Sequence, residues 1–313
     1  MLDVSVVVPF YNRSFFLERL LDSILNQTRK PRKIYLVDNG SSDDEASKLS
    51  LIINKEKFKS MNIVYTSTVD KGNANYARNL GYILSDTKYV AFLDSDDWWQ
   101  KYHLETSINI LSESNKSGVY SGAIVHMQDN QYTKKSIDVN IFNNPFELIL
   151  SPVGYLAQTS SYVVDKENIG NNVLWDEHLK RHQDFDYFAS VFYNTDGWCY
   201  CTEANVNVDW DNGGTNKREI DITSLINFYE KWESKIPNKI SKTYLLHMLR
   251  FSYKNNAPIN IKNYYRNKIL SNDFYNDYLY VLKSKKISIY SYLTITNTLD
   301  FFNLKNTIRK WLK

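Results

Sequence analysis

The sequence predicts an α/β fold: a mostly parallel, mixed sheet flanked by helices, followed by a helical C-terminal extension. Three observations carry this. Short β-branched runs alternate with helical patterns through the N-terminal part of the chain. Several of those runs stop abruptly in polar or acidic residues, as strands do where they leave a sheet. From about Ile220 onward the pattern changes to helices rich in Tyr, Leu and Lys.

In order, Val4 to Pro9 is a β-branched run with a stop, a buried parallel strand. Ser14 can cap a helix whose apolar positions Phe16, Leu17, Leu20, Leu21, Ile24 and Leu25 recur at helical spacing. Lys33 to Val37 is the next strand and ends in Asp38. Asn39 to Asp44 is a turn cluster leading into a second helix. Ile63 to Tyr65 is a third strand, and Gly72 to Leu84 holds a helix start. Tyr89 to Leu93 is an apolar run that ends in Asp94, Asp96 and Asp97. Beyond it the sequence predicts a helix over 101–111 and strands over 118–127, 159–165 and 198–210. A polar loop or flap spans about 129–157, and a helix starts within 175–191. The turn at 211–215 sets the expected boundary: 1–215 as the sheet domain and 216–313 as the extension.

With 313 residues and 43% hydrophobic content, the chain can bury a sizeable core. A net charge of +3 is too small to argue for a nucleic-acid partner. Cys199 and Cys201 sit in strand sequence and read as free thiols, which fits a cytoplasmic compartment. The first apolar stretch is broken by Asp3 and Pro9, so it is a strand and not a signal peptide. No run of apolar residues is long enough for a membrane span. No Gly-x-Gly-x-x-Gly follows a strand and no P-loop motif occurs, which disfavours dinucleotide oxidoreductases and P-loop NTPases.

The strand ends Pro9-Phe10-Tyr11-Asn12, Asp38 and Asp94-Ser95-Asp96-Asp97 should converge on one edge of the sheet, where ligands of open α/β sheets bind. Clustered carboxylates repel and call for a cation; hard oxygen ligands suit Mg²⁺ or Mn²⁺ bridging to a phosphate. The same acids can also cap the following helix. A tyrosine can stack on a base, a carboxylate can accept from a base or ribose donor, and a metal can neutralise a pyrophosphate. Together they make a nucleoside-diphosphate site.

Five segments resemble the family 2 glycosyltransferases of the GT-A fold: Val-Val-Val-Pro-Phe-Tyr-Asn (6–12), Val-Asp-Asn-Gly-Ser-Ser-Asp (37–43), Lys-Gly-Asn-Ala-Asn-Tyr-Ala-Arg-Asn-Leu-Gly (71–81), Phe-Leu-Asp-Ser-Asp-Asp (92–97) and Gln-Asp-Phe-Asp (183–186). The resemblance covers the first 215 residues or so; the C-terminal third carries no matching motif. It implies that Pro9 and Tyr11 border the nucleoside and that Asp38 binds the base, most often uracil. Lys71, Asn75 and Arg78 would line the nucleotide and sugar-phosphate side, with Asp94 and Ser95 contacting the donor. Asp96 would ligate Mn²⁺ or Mg²⁺, and Asp184 would be the general base of an inverting transfer. Asp97 and Asp186 are read as supporting residues, Asp97 as a helix cap. The implied reaction moves a hexose or N-acetylhexosamine from a UDP-sugar to a glycan or lipid-linked glycan in bacterial surface polysaccharide synthesis. The alternatives are an inactive nucleotide-sugar-binding subunit and a nucleotidyltransferase; the latter needs a Gly/Lys-rich loop that Val8-Pro9-Phe10-Tyr11 does not supply.

One departure stands out. Relatives often carry His or Arg after the last core strand, where this chain has Val208-Asp209-Trp210-Asp211-Asn212; Lys217 and Arg218 follow as substitutes. His178 and His182 stand four apart, a spacing that can hold zinc on a helix, but without an evident third ligand they read as surface residues flanking an acceptor cleft. In the tail, Phe301, Leu304, Ile308, Trp311 and Leu312 form a stripe opposite Lys305, Arg309, Lys310 and Lys313. This basic amphipathic segment, 301–313, has two readings: peripheral contact with the inner face of an anionic membrane, or packing on the core or on a second subunit of a homodimer.

Overall fold

The computed structural model describes residues 3–69, 73–127, 130–151, 154–155, 157–210 and 221–271. Lys71, the 211–215 turn, Lys217, Arg218 and the 301–313 tail lie outside them. The first half runs β1 (Val4–Phe10), α1 (Ser14–Leu25), β2 (Lys33–Asp38), α2 (Asp43–Ile53), β3 (Ile63–Ser67), α3 (Ala74–Leu84), β4 (Tyr89–Phe92), β5 (Trp98–Trp99) and α4 (His103–Glu113). There follow β6 (Gly118–Ser121), β7 (Ala123–Met127), β8 (Asn130–Lys134), α5 (Phe146–Ile149), β9 (Val163–Asp165), α6 (Lys166–Ile169), α7 (Gln183–Asn194), β10 (Trp198–Cys201), β11 (Val206–Asp209) and α8 (Ile222–Trp232). Then come α9 (Asn238–Lys254) and α10 (Ile259–Ser271).

A seven-stranded sheet has the order β10-β6-β9-β4-β1-β2-β3. Strands β4, β1, β2 and β3 are parallel, β9 runs antiparallel between β4 and β6, and β10 is parallel to β6. The sheet is thus mixed and mostly parallel, as expected. Strand β1 is buried along its whole length because it lies in the middle, under helices on both faces. Helix α3 approaches it closely: a Cβ at Gly81 would sit 2.5 Å from Val7 Cγ1. A second sheet, β5-β11-β7-β8, stands beside the acid turn.

The structure corrects several expected boundaries. The 118–127 run breaks at Gly122 into two strands of different sheets, since Cβ there would meet the Lys134 carbonyl at 2.6 Å. The expected flap begins with a strand, β8, paired antiparallel with β7. Residues 159–161 form a short 3-10 turn, leaving only Val163–Asp165 as strand. Ser14 is not the cap of α1; Arg13 holds that position, and the Ser14 amide is capped from outside by the Glu45 carboxylate at 2.9 Å.

The chain divides into two compact units, Met1–Pro237 and Asn238–Lys313. Helix α8 belongs to the first of these units. The cause is aromatic packing: Phe228 meets Phe146 edge-on, Trp232 packs tilted against Phe146, and Trp232 stacks on Tyr193. In the second unit, α9 packs on α10. No helix among the described residues is long and apolar enough to cross a membrane.

Candidate active site

The sheet register brings the predicted strand ends together. Pro9 pairs with Val37 and Phe10 with Asp38, while β4 runs alongside β1 up to Val7–Phe92. The chain leaves β1 through Asn12 in the left-handed conformation (φ 51°). There the Asn12 amide donates to Ser41 Oγ and its Oδ1 accepts from the Ser42 amide, which lashes the β1–α1 loop to the β2–α2 turn. A cleft of about 200 Å³ opens at this edge, lined by Pro9, Tyr11, Arg13, Asn39, Arg78, the Asp94–Asp96 turn and Gln183.

Of the predicted nucleotide residues, Pro9, Tyr11, Arg78, Asp94 and Ser95 share that cleft. Asp38 stands just behind its wall. It is buried, and both oxygens have partners: Oδ1 accepts from the Ser41 amide and Oδ2 from the Tyr65 hydroxyl. Its neighbour Asn39 faces the cleft instead, a residue that sequence reasoning passed over. Asn75 is also withdrawn. Its Nδ2 donates to the carbonyls of Asp176 and Leu179, and its Oδ1 accepts from Arg78.

Each acid of the turn has its own arrangement. Asp94 pairs with Arg78 at 2.5 Å; the guanidinium is only 2% exposed and lies 4.6 Å over the Trp175 ring. Asp96 pairs with Arg13 at 2.5 Å, and Arg19 donates to its backbone carbonyl at 2.7 Å. Burial pushes the Asp96 carboxyl upward against the opposing pull of Arg13. Asp97 is no helix cap, since α4 starts later, with Tyr102 at its cap position. It points into the protein, accepting from Ser160 Oγ at 2.5 Å and from the Asp209 amide at 3.4 Å. Burial, reinforced by the charges of Asp96 and Asp94, drives its carboxyl well above the usual range. Asp209, in the segment where relatives often carry a cation, instead anchors Arg19.

Helix α7 delivers Asp184. His182, left-handed at φ 55°, turns the chain so that Gln183 reaches the cleft and Asp184 stands in the first helical turn. Burial raises its carboxyl to about 6. A hydrogen bond from the Phe185 amide and the charge of Arg78 oppose that rise, while the charge of Asp94 adds to it, so Asp184 shares the field of the cleft. The histidines do not lie on one helix: His178 precedes α7, and the His182 ring packs between Phe185 and Phe228. Asp186 faces away and accepts from Trp232 Nε1 at 2.7 Å beside Lys231 at 2.8 Å. Asp186→Ala should therefore cost about 2–3 kcal/mol of stability, read as a lower urea midpoint, with turnover per folded molecule unchanged.

The donor set can be tested against a cation. Among the described residues no three His, Cys, Asp or Glu side chains cluster as a metal cage. Asp94 and Asp96, two positions apart on the cleft wall, match the one or two carboxylates with which Mg²⁺ is held when a phosphate supplies further oxygens.

The fold is shared with solved structures. The chain superposes on TarS 1-349 of S. aureus in complex with UDP with a TM-score of 0.55 at 17% identity, over 92% of this chain and 76% of that one. For TarS 1-349 in complex with UDP-GlcNAc the TM-score is 0.56 at 15% identity, over 83% of each chain. These likenesses define the class, an α/β domain of the GT-A type with its cleft at the strand ends. Residues 5–162 match the model of Glycosyl transferase family 2, and the chain belongs to that family. Asp184 lies beyond the matched segment. The amylovoran biosynthesis glycosyltransferase AmsB of Erwinia amylovora is 31% identical over 189 residues, 58% of this chain and 61% of that protein. The poly(ribitol-phosphate) β-N-acetylglucosaminyltransferase TarP of Staphylococcus aureus is 35% identical over 114 residues, 36% of this chain and 34% of that protein. The chain thus spans less than two thirds of the length of these relatives.

Proposed function

We propose that this chain is an inverting, divalent-metal-dependent glycosyltransferase. It moves a hexose or N-acetylhexosamine from a UDP-sugar to a hydroxyl of a glycan acceptor in bacterial surface polysaccharide synthesis. The observation that carries the reading is the convergence of Arg78, Asp94 and Asp96 on one cleft at the strand ends, with Gln183, the neighbour of Asp184, on its wall. UDP and UDP-GlcNAc in the TarS complexes, and the acetylglucosaminyl transfer in TarP's name, support the donor class.

In this reading Tyr11 and Pro9 border the nucleoside, with Asp38 bracing the turn that carries Asn39. Arg78 holds Asp94 against the donor side, and Lys71 belongs to the same nucleotide wall. Asp96, with Ser95 beside it, would hold Mn²⁺ or Mg²⁺, which supplies charge stabilisation for the departing diphosphate. Asp184 takes the proton of the acceptor hydroxyl as its oxygen attacks the anomeric carbon from the face opposite the diphosphate. A base near 6 is mostly ionised at neutral pH yet still basic enough to accept that proton.

The test is a panel of UDP-sugars with Mn²⁺ and bacterial glycan acceptors, with NMR of the product anomer. Inversion at the transferred sugar is expected; retention, or no transfer from any nucleotide sugar, sinks the reading. Chelation with EDTA, or Asp96→Ala, should lower turnover by about 10²–10³-fold. Full activity in EDTA would refute the metal requirement.

A further inference from the structure

Two arginines reach the acid turn from α1 and its leading loop, and they grip Asp96 differently. Arg19 holds its backbone carbonyl at 2.7 Å and stacks over Trp98 at 3.8 Å, so it fixes the position of the turn. Arg13 holds its carboxylate at 2.5 Å and also lines the cleft. Arg13 is anchored at its root, because the preceding Asn12 is bonded to Ser41 and Ser42. Its side chain keeps 24% of its exposure, against 2% for Arg78, so Arg13 is the more accessible of the two from the cleft.

A guanidinium and a divalent cation compete for the same carboxylate lone pairs. We infer that Arg13 is a counter-ion latch on Asp96: it holds the carboxylate until a divalent cation and a nucleoside diphosphate bind together, then transfers its charge to the diphosphate oxygens. The inference rests on the function proposed above. A cation arriving alone competes with Arg13 for the Asp96 carboxylate and weakens that pair. A cation arriving with a diphosphate gives Arg13 a new anionic partner in the same cleft. Binding of cation and nucleotide is thereby coupled, and the coupling is reciprocal.

Mn²⁺ titrations followed by electron paramagnetic resonance, with and without UDP, test the latch. In the wild-type protein UDP should tighten Mn²⁺ binding about tenfold or more. In Arg13→Gln, Mn²⁺ alone should bind about fivefold more tightly, and the UDP effect should shrink to below about threefold. Arg13→Lys, which keeps the charge, should restore most of the coupling. If Arg13→Gln leaves both quantities unchanged, or weakens Mn²⁺ binding without UDP, the latch is wrong while the transferase reading stands. If the wild type binds neither Mn²⁺ nor UDP, the transferase reading falls and takes the latch with it. A measurement on the wild type needs no variant: the Arg13 guanidinium NMR resonance should shift when Mg²⁺ and UDP are added together, and an unmoved resonance overturns the latch.

Discussion

Asp184→Asn is expected to lower the transfer rate by about 10²–10⁴-fold, the contribution of a positioned general base, while leaving UDP binding within a factor of a few. The amide keeps the shape of the carboxyl and can still accept from the Phe185 amide, but it cannot take a proton. In the wild type, turnover should fall tenfold per pH unit below about 6, because the base must be ionised to act. The variant should lack that acid limb. Stability moves the other way. Burial favours the protonated carboxyl in the fold, so between the ordinary value of 3.8 and about 6 the folded chain holds a proton that the unfolded chain has released. Stability therefore declines as pH rises through that window and stays lowered above it. Asp184→Asn removes this decline, so at pH 8 the variant should melt no lower than the wild type. Activity within a factor of three of the wild type in a coupled UDP-release assay would overturn the assignment of the base.

Asp94→Ala should be the most destabilising single change in the cleft, costing about 2–4 kcal/mol. It strands the Arg78 guanidinium, 2% exposed, with only Asn75 Oδ1 and the face of Trp175. Among the described residues the Arg78 Nε already has no acceptor, so little capacity remains nearby to absorb the loss. Asp94 keeps about a quarter of its exposure, which softens the cost relative to a fully buried pair. Arg78→Met should cost less, because it leaves a carboxylate that water can reach. The double variant Asp94→Ala/Arg78→Met should recover part of the loss, and a double-mutant cycle from urea midpoints measures that coupling. Additive costs would show that the pair does not act as a unit. Both single variants should also lose transfer activity if the cleft is the donor site, since both residues line it.

Much of this is legible in the sequence. The β-branched run ending at Pro9, the stop at Asp38 and the acids after Phe92 announced strand ends, and parallel register carried them to one edge. Other features left no local signal. Nothing in the run from Gly118 to Met127 marked a change of sheet except Gly122, whose constraint comes from a carbonyl on β8. The extension of the first unit through α8 depended on aromatic contacts with Phe146 and Tyr193, far away in sequence. Arg13 and Arg19 looked like ordinary residues of a loop and a helix.

By itself, then, the sequence determined the first four strands of the main sheet and the polar and acidic residues at their ends, because hydrophobic periodicity and turn chemistry are local. Only the tertiary structure decided how those acids divide their roles. Asp96 faces the cleft under Arg13, Asp97 turns inward to Ser160, Asp38 and Asn75 brace the wall, and Asp184 acquires a raised carboxyl. Burial and ion pairing arise between segments distant in the chain, so no spacing of residues could have announced them.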